Sequence, residues 1–239
     1  MNYYFNNNTQ PREISADFMK RDIMINLNDF DKILVGIGSF IDTKIDENID
    51  EIAKYEFVKN SETKEFYGDL VNLLEGRDYF VVTTCRDGKL LNCGLKNVVA
   101  PCGSFKYLQC VNDCQHELLQ FEENMISDSK KFICPHCGSK VVFNRLPLEK
   151  YNEGGYMEAW EEYNRWLQST INKRLLIIEL GVDMSYPTVI RFATEKLCFF
   201  NQKSKMYRVH ESLAFATPEI KDRCECIMQD PLLFMKENF

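Results

Sequence analysis

No stretch of this chain approaches the roughly 20 consecutive apolar residues that a membrane-spanning helix needs, so a membrane protein is not expected. Nor does it open like a secretory leader, because Met1-Asn2-Tyr3-Tyr4-Phe5-Asn6 brings neither a basic start nor an apolar run. Basic charge is in short supply: 29 Lys and Arg face 36 Asp and Glu, for a net charge of -7. A general nucleic-acid binder needs a basic face to neutralise phosphates, so nucleic acid is an unexpected partner. Internal repeats and low-complexity tracts are also missing. What remains is ordinary for a globular protein. With 239 residues, 45% of them hydrophobic, the chain can fill one large core and carry a small module besides.

Ten cysteines would suit a disulfide scaffold, but the chain is too long and too rich in core residues to need one. A reducing, cytoplasmic setting is expected. Four of the thiols are ordered: Cys110, Cys114, Cys134 and Cys137 form the pattern C-x3-C-x19-C-x2-C. The second pair lies in Cys134-Pro135-His136-Cys137-Gly138, a tight knuckle ending in glycine. Two such pairs are what one structural, tetrahedral Zn²⁺ needs, and four thiolates leave no open position for a catalytic water. His136, between two ligands, is expected at the surface. The metal would close a module, residues 107–142, too small to hold a core of its own.

Around that module the chain alternates between apolar runs and helical patterns. Lys32-Ile33-Leu34-Val35-Gly36, Tyr79-Phe80-Val81-Val82-Thr83-Thr84 and Leu175 to Leu180 read as buried strands. Val98-Val99-Ala100 reads as a further strand, and Leu197-Cys198-Phe199-Phe200 as a fifth that ends at Asn201. Phe66, Leu70, Leu73 and Leu74 share one face of a helix that Gly76 stops. Tyr156, Trp160, Tyr163, Leu167 and Ile171 mark an amphipathic helix whose aromatic face belongs to a core. Another helix is expected after Pro187, and the C-terminal segment reads as helical. The predicted fold is α/β: a Rossmann-like parallel sheet with helices on both faces, built from residues 1–106 and 143–239, plus the inserted zinc ribbon. Residues 1–30 are expected as an N-terminal arm.

Ligands of such folds bind beyond the carboxyl ends of the strands. Three strand ends here carry suggestive residues: Gly36-Ile37-Gly38-Ser39, Thr84-Cys85-Arg86-Asp87-Gly88 and Gly181-Val182-Asp183. The first would let backbone N–H groups approach a pyrophosphate, although G-x-G alone is most often a turn. Asp87-Gly88 is likewise a pair that commonly closes a turn. Arg145 would pair with a phosphate or stand as a solvated charge after a strand.

In their order these features resemble the sirtuins. That family has a glycine-rich loop after the first strand, a threonine–x–asparagine–x–aspartate–glycine segment, and a histidine–glycine pair before a four-cysteine zinc module. A glycine-led turn and a strand ending in asparagine follow. The corresponding stretches are Gly36-Ile37-Gly38-Ser39, Thr83-Thr84-Cys85-Arg86-Asp87-Gly88, Pro101-Cys102-Gly103-Ser104, the four cysteines, Gly181-Val182-Asp183 and Phe200-Asn201. Phe143-Asn144-Arg145 with Trp160 and Tyr163 is similar to the microbial, macrodomain-associated branch, whose implied activity is protein ADP-ribosylation.

The resemblance implies NAD as co-substrate, structural zinc, and an acylated or ADP-ribose-accepting protein as partner. It places Gly36, Gly38, Ser39, Thr84, Gly181, Asp183 and Asn201 at the cofactor. Asp87 would hold nicotinamide, Cys85 would replace the asparagine at the nicotinamide ribose, and Cys102 would occupy the position of the catalytic histidine. A thiol there acts as a base only with a lowered pKa. The loop after Ser39 lacks the family's proline–aspartate–phenylalanine–arginine stretch, and the glycine–threonine–serine turn becomes Gly181-Val182-Asp183. Two functions follow as expectations: a sirtuin-like NAD-dependent transferase, by deacylation or ADP-ribosyl transfer, and an inactive module that binds NAD or ADP-ribose. A zinc ribbon that contacts nucleic acid is a third reading, disfavoured by the acidic charge.

Overall fold

The computed structural model describes residues 25–62 and 64–239; most of the expected N-terminal arm lies outside the described residues. The chain runs β1 (Lys32–Ile37), α1 (Glu51–Asn60), α2 (Phe66–Leu74), β2 (Tyr79–Thr83), β3 (Val98–Val99), β4 (Gly103–Cys110), β5 (Leu118–Gln120), β6 (Val141–Arg145), α3 (Met157–Gln168), β7 (Leu175–Leu180), α4 (Arg191–Phe200), β8 (Ser204–Val209), β9 (Cys224–Ile227) and α5 (Pro231–Asn238).

Six strands form one sheet in the order β3-β2-β1-β7-β8-β9, and every pairing is parallel. β1 is the pivot. It pairs with β2 on one side and β7 on the other, so the connections leaving their carboxyl ends diverge and open a crevice. All of β1 and β7 is buried, which is why each reads as a nearly unbroken apolar run. Alternate residues feed opposite faces. Ile33, Val35, Ile37, Val81, Ile178 and Val209 pack with Leu70 and Leu74 of α2 and Phe234 of α5. Leu34, Phe80, Val82 and Ile177 pack with Tyr163 of α3 and Cys198 of α4. The helix stop at Gly76 is real, with φ +69°.

Two sequence expectations are corrected here. Leu197-Cys198-Phe199-Phe200 is the last turn of α4, and the fifth strand of the sequence reading is instead β8, from Ser204. Arg191, Thr194 and Cys198 recur at helical spacing and form the buried face of α4, while Phe200 is 77% exposed. Local hydrophobicity imitated a strand. Ile171 falls beyond α3 and is exposed, so the apolar stripe of that helix ends at Leu167.

The second body is a three-stranded antiparallel sheet, β5-β4-β6, spanning Gly103 to Arg145, somewhat wider than the expected 107–142. It carries a small core of its own. Phe105, Leu108 and Phe143 pack with Val58 of α1, and Tyr55 lies against Phe105, Phe121 and Phe143. Helix α1 thus serves the inserted body. Its N-cap Asp50 accepts from the Ala53 amide at 2.9 Å.

A buried ionic cluster holds the carboxyl half of the large sheet. Glu179 on β7 and Arg208 on β8 stand opposite each other and are both fully buried. Arg208 donates to Glu179 at 2.5 and 3.0 Å, to Glu195 at 2.6 Å and to the Phe215 carbonyl at 2.6 Å. Arg191 donates to the carbonyls of Leu213 and Phe215 at 2.8 and 2.9 Å. The cluster therefore pins the segment that follows β8. Removing one partner strands a buried charge. Glu179→Ala is expected to cost about 3 kcal/mol or more in urea unfolding, and Glu179→Leu with Arg208→Met to recover most of that loss.

Candidate cofactor crevice and thiolate cluster

The ends of β1 and β7 meet backbone to backbone. The Gly38 amide donates to the Leu180 carbonyl at 2.9 Å, and a Cβ on Gly38 would lie 2.0 Å from the Gly181 oxygen. Gly36 likewise has no room for a side chain, with Ile190 at 2.5 Å. Gly181 adopts φ +63° and donates to the Val209 carbonyl at 2.9 Å. These glycines are required by close packing of the strand-end loops. Ser39 is aimed across the same junction and donates to the Asp183 carboxylate, which also accepts from the amide and hydroxyl of Ser185 at 2.9 and 3.1 Å. Burial alone would raise the Asp183 pKa; the donors from Ser39 and Ser185 outweigh it and hold the carboxyl low.

The loop after β2 closes the other side. Cys85 is buried, its sulfur turned inward to the Gly38 carbonyl at 3.3 Å, and burial pushes its pKa well up. Asp87 is buried and engaged: it accepts from the Thr43 amide at 3.1 Å, the Thr43 hydroxyl at 2.8 Å and the Lys89 amide at 3.0 Å. Its own amide donates to Asp42 at 3.0 Å. Burial, and then the neighbouring Asp87 charge, raise the pKa of Asp42. The Thr84 hydroxyl is buried with no hydrogen-bond partner among the described residues, whereas Nε of Arg86 lies 3.5 Å from the Asp42 carboxylate. Buried polar groups are normally paired, so the Thr84 hydroxyl marks where a ligand or water belongs.

Cys102 is buried at the start of β4. Burial pushes its pKa up to about 12, although the Arg86 guanidinium pulls the other way. The thiol is protonated at neutral pH and does not meet the condition for a base. Arg145 is not a solvated charge. It is buried, donates to both carboxylate oxygens of Glu47 at 2.9 and 3.0 Å, and lies over the Phe105 ring at 5.1 Å.

Asn201 leaves the site altogether. Its amide donates to the carbonyls of Thr170 and Lys173 at 3.1 Å each, just before β7, at the amino end of the sheet. The residue that stands at the carboxyl end of β8 is His210, which sequence reading missed because the strand itself was misplaced. Its Nδ1 accepts from the amides of Ser212 and Leu213 at 3.1 Å each, so its proton rests on Nε2. Its ring meets Phe40 edge-on at 5.6 Å, and burial lowers its pKa.

The four cysteines come together as expected. The sulfurs of Cys110, Cys114, Cys134 and Cys137 all lie within 4.8 Å of one another, with Cys110–Cys137 at 3.5 Å and Cys114–Cys134 at 3.6 Å. Zn–S bonds of about 2.3 Å in a tetrahedron place sulfurs about 3.8 Å apart, so this donor set fits one Zn²⁺. The knuckle is formed by the Gly138 amide donating to Cys134 at 2.9 Å, with Gly138 at φ +71°. His136 is exposed.

No family model matches the chain. A probable bifunctional ADP-ribose hydrolase/ADP-ribosyltransferase of Fusarium oxysporum f. sp. cubense is 30% identical over 141 residues, 51% of this chain and 24% of that protein. The chain thus spans well under half the length of this curated relative. Solved structures cover it more fully. A Sir2 bound to a p53 peptide and NAD+ matches 87% of this chain and 92% of its own, with TM-score 0.56 and 18% identity. Sir2Tm bound to a propionylated peptide gives 0.55 at 18% identity, over 87% and 92% of the two chains. A Sir2 in complex with an inhibitor, 2′-O-acetyl-ADP-ribose and deacetylated p53 peptide gives 0.56 at 19%, over 87% and 93%. The fold is sirtuin-like.

Two outcomes are expected. The purified protein should release about one Zn²⁺ per chain when its thiols are blocked, and Cys134→Ser should lose the metal and lower Tm. Cys102 should make the fold sensitive to alkali. Its folded pKa lies above its ordinary value of 9.0, so its contribution is intact below about pH 9 and is lost towards about 12, as the unfolded chain ionises first. Urea titrations of the parent and Cys102→Ala across that range should diverge only above about pH 9.

Proposed function

We propose that the chain binds NAD in the crevice between β1, β2 and β7 and transfers its ADP-ribosyl group to a protein acceptor, in preference to removing acyl groups. The observation that carries this reading is the Cys102 thiol. It stands where the resemblance puts the base of deacylation, and burial keeps its proton in place at neutral pH. The likeness of half the chain to a protein named as an ADP-ribosyltransferase supports the same choice.

The residues of the crevice suit the ligand in part. Thr84 offers a buried, unpartnered hydroxyl, and Arg86, already shared between Asp42 and Glu47, brings the positive charge that a diphosphate needs. Asp183 would accept from a ribose hydroxyl and repel a phosphate, which directs the ribose to the β7 end and the diphosphate towards Arg86. His210 would join Asp183 at that ribose. Bound NAD supplies an ADP-ribosyl group whose bond to nicotinamide breaks through an oxocarbenium-like state. The chain's own contribution is orientation and exclusion of water, with Asp87 at the nicotinamide.

A second reading, NAD or ADP-ribose binding without turnover, is favoured by one feature: the Asp87 carboxylate is already engaged by Thr43 and Lys89. Nicotinamide release from NAD by zinc-loaded protein, with carrier proteins and acylated peptides as acceptors, separates the two. Transfer predicts release that falls in Asp87→Asn, rises in Thr43→Val, and persists in Cys102→Ala. A loss of about 100-fold or more in Cys102→Ala would instead make that thiol the proton acceptor. Absence of release, with ADP-ribose still raising Tm, would establish the binding module.

A further inference from the structure

Where the two cores fail to meet, they leave a cavity of about 730 Å³. Its floor is apolar on both sides: Val58, Phe105 and Phe121 from the small body face Leu91 and Leu95 from the connection between β2 and β3. Its rim is basic. Lys59, Lys89, Lys96 and Lys106 all line it, against two acidic residues, Asp87 and Glu123. Asp87 is turned to Thr43 and Lys89, and Glu123 is paired with Lys59 at 3.0 Å and with the Tyr55 hydroxyl. Lys96 and Lys106 are exposed and make no ion pair among the described residues. Lys89 donates to the oxygens of Ser61 and Glu62, all uncharged. A surplus of cations around an apolar trough is unusual in a chain of net charge -7.

The trough also touches the edge strands of both sheets, where Gln120 is exposed and Val98 is buried. β3 ends the large sheet and β5 ends the small one, and Val98 of β3 and Gln120 of β5 both line the cavity. Edge strands present unpaired N–H and C=O groups, to which an extended peptide can add. An extended peptide also alternates its side chains, so one face can reach an apolar floor while the other meets a charged rim.

We propose that this cavity is a docking groove for an acidic, extended segment of a partner protein whose apolar residues alternate with carboxylates. The groove adjoins the crevice that would hold NAD, since Asp87 lines both, but its occupancy does not depend on turnover there. A bare small anion would use the lysines but leave the apolar floor and both strand edges empty.

The test is fluorescence anisotropy with the full chain and a labelled peptide of alternating Glu and Leu, about ten residues long, or roughly 33 Å when extended. The expected result is saturable binding that weakens with salt, no binding of the matching Lys–Leu peptide, and a loss of about tenfold or more in Lys96→Glu with Lys106→Glu. Both lysines are exposed, so that variant is expected to keep its circular dichroism and Tm. Three results would each overturn the proposal: no binding of the Glu–Leu peptide, undiminished binding by the double variant, or equal binding of the Lys–Leu peptide. Displacement by inorganic tripolyphosphate at the same concentration as unlabelled peptide would reveal a simple anion site and overturn it too.

Discussion

Gly38 touches the Gly181–Val182 backbone so closely that no side chain fits between them, with the Gly181 oxygen 2.0 Å from where a Cβ would stand. The loops after β1 and β7 are thereby joined at the point where their connections part. Ser39 is delivered to Asp183 by this contact, the Gly38 carbonyl is presented to the sulfur of Cys85, and Gly181 is locked to β8 through Val209. Phe40, next along, is set against His210. The floor of the crevice is thus a consequence of two chains of backbone sharing one volume. The glycines that look like ligand-approach residues in the sequence are spent on each other.

Electrostatics then divides the crevice. Where its side chains are buried, each charge needs a partner and each thiol keeps its proton. Cys85 and Cys102 are both raised by burial, and neither can supply a thiolate at neutral pH. The carboxylates separate by their donors: Asp183 receives hydroxyl and amide hydrogens and stays ionised, whereas burial and the charge of Asp87 disfavour ionisation of Asp42. On the proposed reading, a crevice whose thiols keep their protons and whose rim carries the Arg86 guanidinium is better suited to holding the diphosphate of NAD while nicotinamide leaves than to activating a ribose hydroxyl.

The fold was legible wherever burial is two-sided. β1, β2 and β7 are apolar runs because helices cover both faces. β8 and β9 were not legible, since Lys205, Arg208 and Glu225 interrupt them; Arg208 is admitted to the interior only because Glu179 opposes it. That pairing lies between strands 29 residues apart and leaves no local trace. The misplaced strand carried Asn201 into the predicted site and hid His210. Helix α1 was missed because its apolar residues serve a second core. The cysteine module was the most legible part, because metal chemistry fixes spacing in the sequence itself.

The same reasoning explains why the two bodies keep their relative placement. Glu47 lies between the loop after β1 and helix α1, and it receives Arg145 from β6 and Arg86 from the loop after β2, the latter at 3.3 Å. Arg86 also donates to the Leu146 carbonyl at 2.8 Å and lies 3.5 Å from Asp42. Three connections between large and small bodies are therefore tied at one carboxylate. A guanidinium engaged through Nη1 by Glu47 and Leu146, and facing the Asp42 carboxylate through Nε, keeps a defined orientation. The group proposed to meet the diphosphate is consequently held by contacts to both bodies, so ligand charge in the crevice and the juxtaposition of the two bodies act on the same side chain.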